Sequence, residues 1–256
     1  MDGQTLYTIA GGEGSIVIAF DKETGKELWK ALSAPEPGYS SPVLIEAGGT
    51  KQLVAFDADS INGLNPATGK SFWSFPIAPN YGMAIMSPVK HGDHLFAAAI
   101  VNVGIMLKLD SEKPAATVAW KGDNRRALYP VCAAPIVEED GTMYGVDRFG
   151  HLRGVEFKTG KRLWETTKPI TGDKTQNSGT GFLVRNADRY FIFNEAGELI
   201  VAELTPSAYK EISRKKLLEP TGEAFGRPVV WSHPAYAGKC IFARNDKEIV
   251  CVSLAE

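Results

Sequence analysis

One phrase recurs along this chain and limits what it can fold into. Phe20-Asp21-Lys22-Glu23-Thr24-Gly25-Lys26-Glu27-Leu28-Trp29 returns as Leu64-Asn65-Pro66-Ala67-Thr68-Gly69-Lys70-Ser71-Phe72-Trp73 and as Phe157-Lys158-Thr159-Gly160-Lys161-Arg162-Leu163-Trp164. Leu109-Asp110 leading to Trp120 is a blurred copy. The tryptophans at 29, 73, 120 and 164 stand 44, 47 and 44 residues apart, which is the period of one four-stranded propeller blade. The expectation is an all-β propeller of four-stranded antiparallel blades, about six of them visible.

Alternation of apolar and polar residues has period two throughout, as in Gln52-Leu53-Val54-Ala55-Phe56. Strands are predicted at 6–10, 15–20 and 26–30, then at 42–46, 52–57, 60–64 and 70–75. The third blade takes 88–91, 94–100, 104–109 and 117–121, and the fourth takes 135–138, 142–147, 151–155 and 161–166. A fifth, at 181–185, 189–194, 199–204 and 209–215, has Tyr209 and Ile212 where a tryptophan is expected. A sixth begins at His233-Pro234 and supplies three strands ending at 248–254. By this reading the first blade lacks an inner strand and the last lacks an outer one, so residues 1–256 form a single propeller domain that is N-terminally incomplete.

The repeated residues explain themselves structurally. An indole on the outer strand fills the gap to the neighbouring blade, and its N–H seeks a backbone carbonyl. The Asp, Thr and Gly before it suit a tight turn, because short polar side chains bond the local backbone and glycine takes the left-handed position. Trp29, Trp73, Trp120 and Trp164 are therefore read as blade-docking residues.

Ala19, Asp21, Thr24, Gly25 and Trp29 at this spacing resemble the repeat of the pyrroloquinoline-quinone-type β-propellers, whose members include quinoprotein alcohol dehydrogenases and the lipoprotein of outer-membrane β-barrel assembly. Gly63, Asn65, Thr68, Gly69 and Trp73, and Gly154, Glu156, Thr159, Gly160 and Trp164, match it with variants. The run Tyr39-Ser40-Ser41-Pro42-Val43 and the Gly92-Asp93 turn are similar to the C-terminal part of bacterial proteins of this type. The resemblance implies an eight-bladed ring of which this is a part, and an exported or periplasmic location. It fixes fold and not activity, because the same repeat serves enzymes and scaffolds.

Net charge is −2, with 28 Lys and Arg against 30 Asp and Glu, which argues against a nucleic-acid surface. No apolar run reaches the roughly 18 residues of a membrane span, and no signal peptide stands at the start. Cys132, Cys240 and Cys251 contain no Cys-x-x-Cys pair, and the four histidines offer no metal pattern. A turn between Cys240 and Cys251 sets them diagonally across a hairpin, which disfavours a disulfide.

Long links from each outer strand to the next inner strand are where recognition concentrates on a rigid scaffold. They deliver Tyr39, Ser40, Ser41, Tyr81, Asn177, Trp231 and His233 as candidate ligand-binding residues. No catalytic residue is identified. The reading is a non-catalytic binding or assembly scaffold of the bacterial envelope, without cofactor, taking a protein or glycan partner, with self-association open to it if the ring is incomplete. The alternatives are a quinoprotein alcohol or sugar oxidoreductase carrying pyrroloquinoline quinone and calcium, and a carbohydrate-binding accessory protein. The quinone reading finds no adjacent cysteines here, and only Trp231 to stack on a planar ring.

Overall fold

The computed structural model describes residues 1–255. The chain packs as two compact units, Met1–Ala134 and a second that begins at Pro135. In the first, β1 (Thr5–Ile9), β2 (Val17–Asp21) and β3 (Glu27–Ala31) make a three-stranded sheet. Two four-stranded sheets follow: β4 (Val43–Ala47), β5 (Thr50–Phe56), β6 (Ser60–Leu64) and β7 (Ser71–Pro76), then β8 (Val89–His91), β9 (His94–Ala99), β10 (Val103–Leu109) and β11 (Ala116–Lys121). The second unit holds β12 (Ile136–Val137), β13 (Thr142–Val146), β14 (Leu152–Glu156) and β15 (Arg162–Thr166), and then β16 (Gly181–Asn186), β17 (Arg189–Asn194), β18 (Glu198–Leu204) and β19 (Tyr209–Lys216). A small hairpin, β20 (Gly222–Ala224) and β21 (Arg227–Val229), precedes a three-stranded sheet of β22 (Ala235–Ala237), β23 (Cys240–Arg244) and β24 (Ile249–Ser253).

Every sheet is an antiparallel meander in sequence order, the arrangement of propeller blades. Among the described residues there is no α-helix, only a 3₁₀ turn at Asn80–Gly82. The first and last sheets have three strands, as expected. The hairpin β20–β21 corrects the expectation of a long link without strands between the fifth and sixth blades: its strands are three residues each, too short to show alternation.

In five sheets the outer pair of strands carries a β-bulge at the same place. Ala19, Gly63, Met106, Gly154 and Val201 sit opposite Trp29, Trp73, Trp120, Trp164 and Ser213, and the register slips at the next residue. This corrects the fifth blade: the tryptophan position belongs to Ser213, not to Tyr209 or Ile212, because the bulged residue Ile212 shifts the count by one. Small residues opposite the indoles have a steric reason. A Cβ on Gly63 would stand 2.1 Å from the Trp73 ring, and one on Gly154 would stand 2.6 Å from Trp164.

Trp29 and Trp164 reach the next sheet along the chain. Trp29 Nε1 donates to the carbonyl of Pro66 at 3.0 Å, and its ring covers Gly69, where a Cβ would meet it at 2.5 Å. Trp164 Nε1 donates to the Thr205 carbonyl at 2.8 Å. Trp73 instead donates to Gln52 Oε1 within its own sheet, at 2.7 Å. Trp120 packs on Phe96, and the Arg126 guanidinium lies 5.5 Å from its ring centroid.

Apolar cores lie between successive sheets. Ile16, Val17, Leu53, Ala55 and Leu64 fill the first gap, while Phe56, Ile61, Trp73, Leu95, Ala97 and Ile105 belong to the second. In the other unit Tyr144, Val146, Tyr190, Ile192 and Ile200 play this part. Middle strands are buried on both faces, so five successive residues of β5, Gln52 to Phe56, are all buried.

Tight turns use the side chains the repeat supplies. Asp21 Oδ1 accepts from the backbone N–H groups of Glu23 and Thr24 and from the Thr24 hydroxyl, with Gly25 at φ 70°. At the other end of the strands a second device recurs that sequence reading missed. Asp57, Asn194 and Asn245 are buried where their middle strands end, and each Oδ1 accepts two backbone N–H groups of the turn that follows. Burial raises the Asp57 pKa above its ordinary value. Its ionised form therefore opposes folding: the stability present below about pH 3.9 is lost as pH rises through the raised value.

Two outcomes follow from this packing. Gly63→Ala drives a methyl into the Trp73 ring and should lower stability by about 1–3 kcal/mol, seen as a reduced urea midpoint. Asp57→Asn keeps the turn acceptor that Asn194 and Asn245 provide, so the variant should gain on the wild type as pH is raised from 3.5 to 7 in the same assay.

Candidate functional site

Because strands alternate in direction, each sheet's connections fall at two ends. One end carries the turns β4–β5, β6–β7 and their counterparts, and the other carries the turns between the two middle strands together with the long links. In the first unit the two ends differ in backbone chemistry. The short turns place only glycines in the left-handed region, including Gly25, Gly48, Gly69 and Gly92. At the link end Leu32, Tyr81, Val101, Asn102 and Ala127 adopt φ between 56° and 67°. Such conformations cost non-glycine residues on the order of 1 kcal/mol or more, and they collect at sites that bind; for a β-branched residue such as Val101 they are genuine outliers.

Two links of this unit are stitched together. Tyr39 N–H donates to the Ala84 carbonyl at 2.8 Å, and Ser40 Oγ donates to the Met86 carbonyl at 3.1 Å. Gly38 lies against Ala84 so closely that a Cβ would meet its methyl at 3.0 Å. Ser40 is thereby withdrawn: it is 2% exposed and its hydroxyl is engaged. Tyr39 and Tyr81 project instead, 67% and 84% exposed, beside the exposed Ser41. Thr8, Ile9, Pro37 and Tyr39 to Pro42 line a recess of about 490 Å³ next to them.

In the second unit the link end is organised by Glu195, which sequence reading did not single out. Its carboxylate, buried at 5% exposure, accepts from Arg227 Nε at 2.8 Å and Nη2 at 2.9 Å, from Thr180 N–H at 3.1 Å and from Trp231 Nε1 at 3.3 Å. Val230 N–H donates to its carbonyl. This knot ties the hairpin β20–β21 to the turn between β17 and β18. It leaves Phe225 at the hairpin tip, 64% exposed at φ 50°, with its ring centroid 6.3 Å from that of Trp231. Asn177 is held by Arg148 Nε at 3.1 Å, and the Arg148 guanidinium lies over the exposed Phe149 ring. His233 is exposed and its ring touches Phe182, with centroids 3.9 Å apart.

Thus the first unit presents Tyr39, Ser41 and Tyr81 at its link end, and the second presents Trp231, with Phe225 and Phe149 as aromatics beyond those expected. The Trp231 indole donates to Glu195, the sequence has no adjacent cysteine pair, and no group of three or more carboxylate, imidazole or thiol side chains converges among the described residues.

Meandering blades, outer-strand indoles and the Asp-x-x-Thr-Gly turns together define a β-propeller of the pyrroloquinoline-quinone-like repeat class. Residues 59–256 match the family described as outer membrane protein assembly factor BamB, and the chain belongs to that family. It is 22% identical over 225 residues to the BamB of Shewanella oneidensis, covering 78% of this chain and 53% of that protein. The chain thus spans about half the length of this curated relative. The fold is shared with the crystal structure of BamB from Moraxella catarrhalis, at a TM-score of 0.65 and 15% identity over 98% of this chain and 70% of that one. It is shared as well with the quinohemoprotein alcohol dehydrogenase of Comamonas testosteroni, at 0.59 and 12% over 94% and 50%.

Removing the Glu195 carboxylate strands a largely buried guanidinium, a loss of about 3–5 kcal/mol when one partner of a buried pair is deleted. Glu195→Ala should therefore release the hairpin, with amide hydrogen exchange rising over residues 220–231 well before the β16–β19 sheet loses protection.

Proposed function

We propose that this chain is a non-catalytic scaffold of the bacterial envelope that binds a protein partner through the link end of its blades, in the assembly of outer-membrane proteins. The observation that carries this reading is the pair Tyr39 and Tyr81. Both rings stand in solvent at 67% and 84% exposure on links stitched to one another, and Tyr81 is held in a left-handed conformation. Tyrosines on a rigid support are typical anchors of protein interfaces, because they bury large area at small entropy cost. Membership of the BamB family supports the envelope setting and a partner in outer-membrane assembly. No described helix is long and apolar enough to cross a membrane.

A photo-crosslinking amino acid at position 39 or 81 tests the reading in cells, with position 92 in a short turn at the opposite end of the strands as control. Discrete protein adducts are expected from 39 and 81 and not from 92. The double substitution Tyr39→Ala, Tyr81→Ala should weaken partner binding at least tenfold while changing stability by no more than about 0.5 kcal/mol, since neither ring is buried. Equal adducts from both ends, or dye reduction by the purified protein with quinone, calcium and an alcohol, would overturn it.

A further inference from the structure

The last sheet carries two thiols that the scaffold does not use. β23 pairs with β24 so that Cys240 faces Ser253 and Phe242 faces Cys251. Cys240 and Phe242 are two residues apart on one strand, as are Cys251 and Ser253 on the other, so all four share one face of the sheet and the cysteines are diagonal neighbours. Both thiols are free; Cys240 is half-buried and Cys251 is exposed. The opposite face, with Ile241 and Ala243 buried, is the packed one. Cys132 belongs to the other unit.

What such a pair can do is decided by distance. Diagonal residues on paired strands have Cα atoms roughly 7–8 Å apart, whereas a disulfide wants about 4.4–6.8 Å. Direct oxidation therefore requires a backbone shift. A bridging ion does not: two metal–thiolate bonds of about 2.3 Å each span roughly 4.6 Å between sulfurs, a gap that two side chains at diagonal positions on one face can close by turning toward each other. Desolvation, and then the neighbouring Cys240, raise the Cys251 thiol above its ordinary pKa, which makes that thiol sluggish toward oxidants. A soft cation displaces the thiol proton outright. Cys240 also lines a recess of about 340 Å³ together with Lys239, which provides an approach for an ion and a cation near the anionic product. With no third ligand of carboxylate, imidazole or thiol type converging among the described residues, a tetrahedral zinc site is not available.

We propose that Cys240 and Cys251 form a two-thiolate site for a soft cation that accepts linear two-coordination, of which copper(I) is the biological example. Binding one ion releases two thiol protons and involves no change of oxidation state.

The test uses the full chain, reduced and anaerobic, titrated with copper(I) delivered from a chromogenic chelator. One equivalent should bind, with maleimide-reactive thiols falling from the three present to the single Cys132. Cys251→Ser, at an exposed position, should weaken binding at least a hundredfold with unchanged circular dichroism, and Cys132→Ser should leave it unaltered. Undiminished affinity in Cys251→Ser would overturn the proposal. So would rapid formation of an internal Cys240–Cys251 disulfide on treatment with a diazene oxidant, which removes two electrons and two protons, because it would place the sulfurs at bonding distance.

Discussion

The indole of Trp29 belongs to two sheets at once. Its strand is fixed by pairing with β2, its ring covers Gly69 of the following sheet, and its N–H closes on the Pro66 carbonyl of that sheet's turn. The same turn precedes Trp73, so one ten-residue phrase provides both the wedge for the blade ahead and the seat for the wedge behind. This double use explains why Thr-Gly and Trp travel together. A bulky residue in place of the glycine would remove the seat, and a smaller ring would leave both the gap and the carbonyl unfilled. Where the indole is replaced by Ser213, the outer strand turns to charge: Arg214 bonds to Glu198 and Glu211, and Tyr209 to Glu211.

The wedge also sorts the two ends of the strands into different roles. The turn that receives Trp29 is held by Asn65, Thr68 and Gly69, and the one that receives Trp164 by the Thr205 hydroxyl. Connections at the other end are free of that demand once Asp57, Asn194 or Asn245 has satisfied the turn backbone. That freedom is where Tyr81, Val101 and Phe225 take up left-handed conformations and where the exposed rings of Tyr39, Phe149 and Trp231 stand. Rigid sheets tolerate irregular connections because these run over the surface, outside the packed faces.

Much of the architecture was legible because strand alternation and a fixed period reinforce each other over the whole length. What escaped has specific causes. Ser213 was hidden because a bulge adds a residue that counting along the chain does not see. The hairpin at Gly222–Val229 is too short for periodicity, and its anchor, Glu195, lies 32 residues from Arg227, so no local pattern joins them. Ser40 looked like a surface hydroxyl, yet its partner Met86 is on another link. Tyr39, Tyr81 and Trp231 were foreseeable, because long links on a repeat scaffold are exposed by construction. The exposure of Phe225 was not, since it depends on the knot beneath it.

Cores that sit between sheets rather than at one centre give the molecule a linear energy ledger. Within each unit a sheet answers chiefly to the one before and the one after, so its cohesion resembles nearest-neighbour coupling more than a single melting droplet. Evolution can lengthen or shorten such a row of sheets by copying one sheet with its wedge and seat together, without redesigning the rest. This gives a physical reason why one repeat underlies relatives of quite different length.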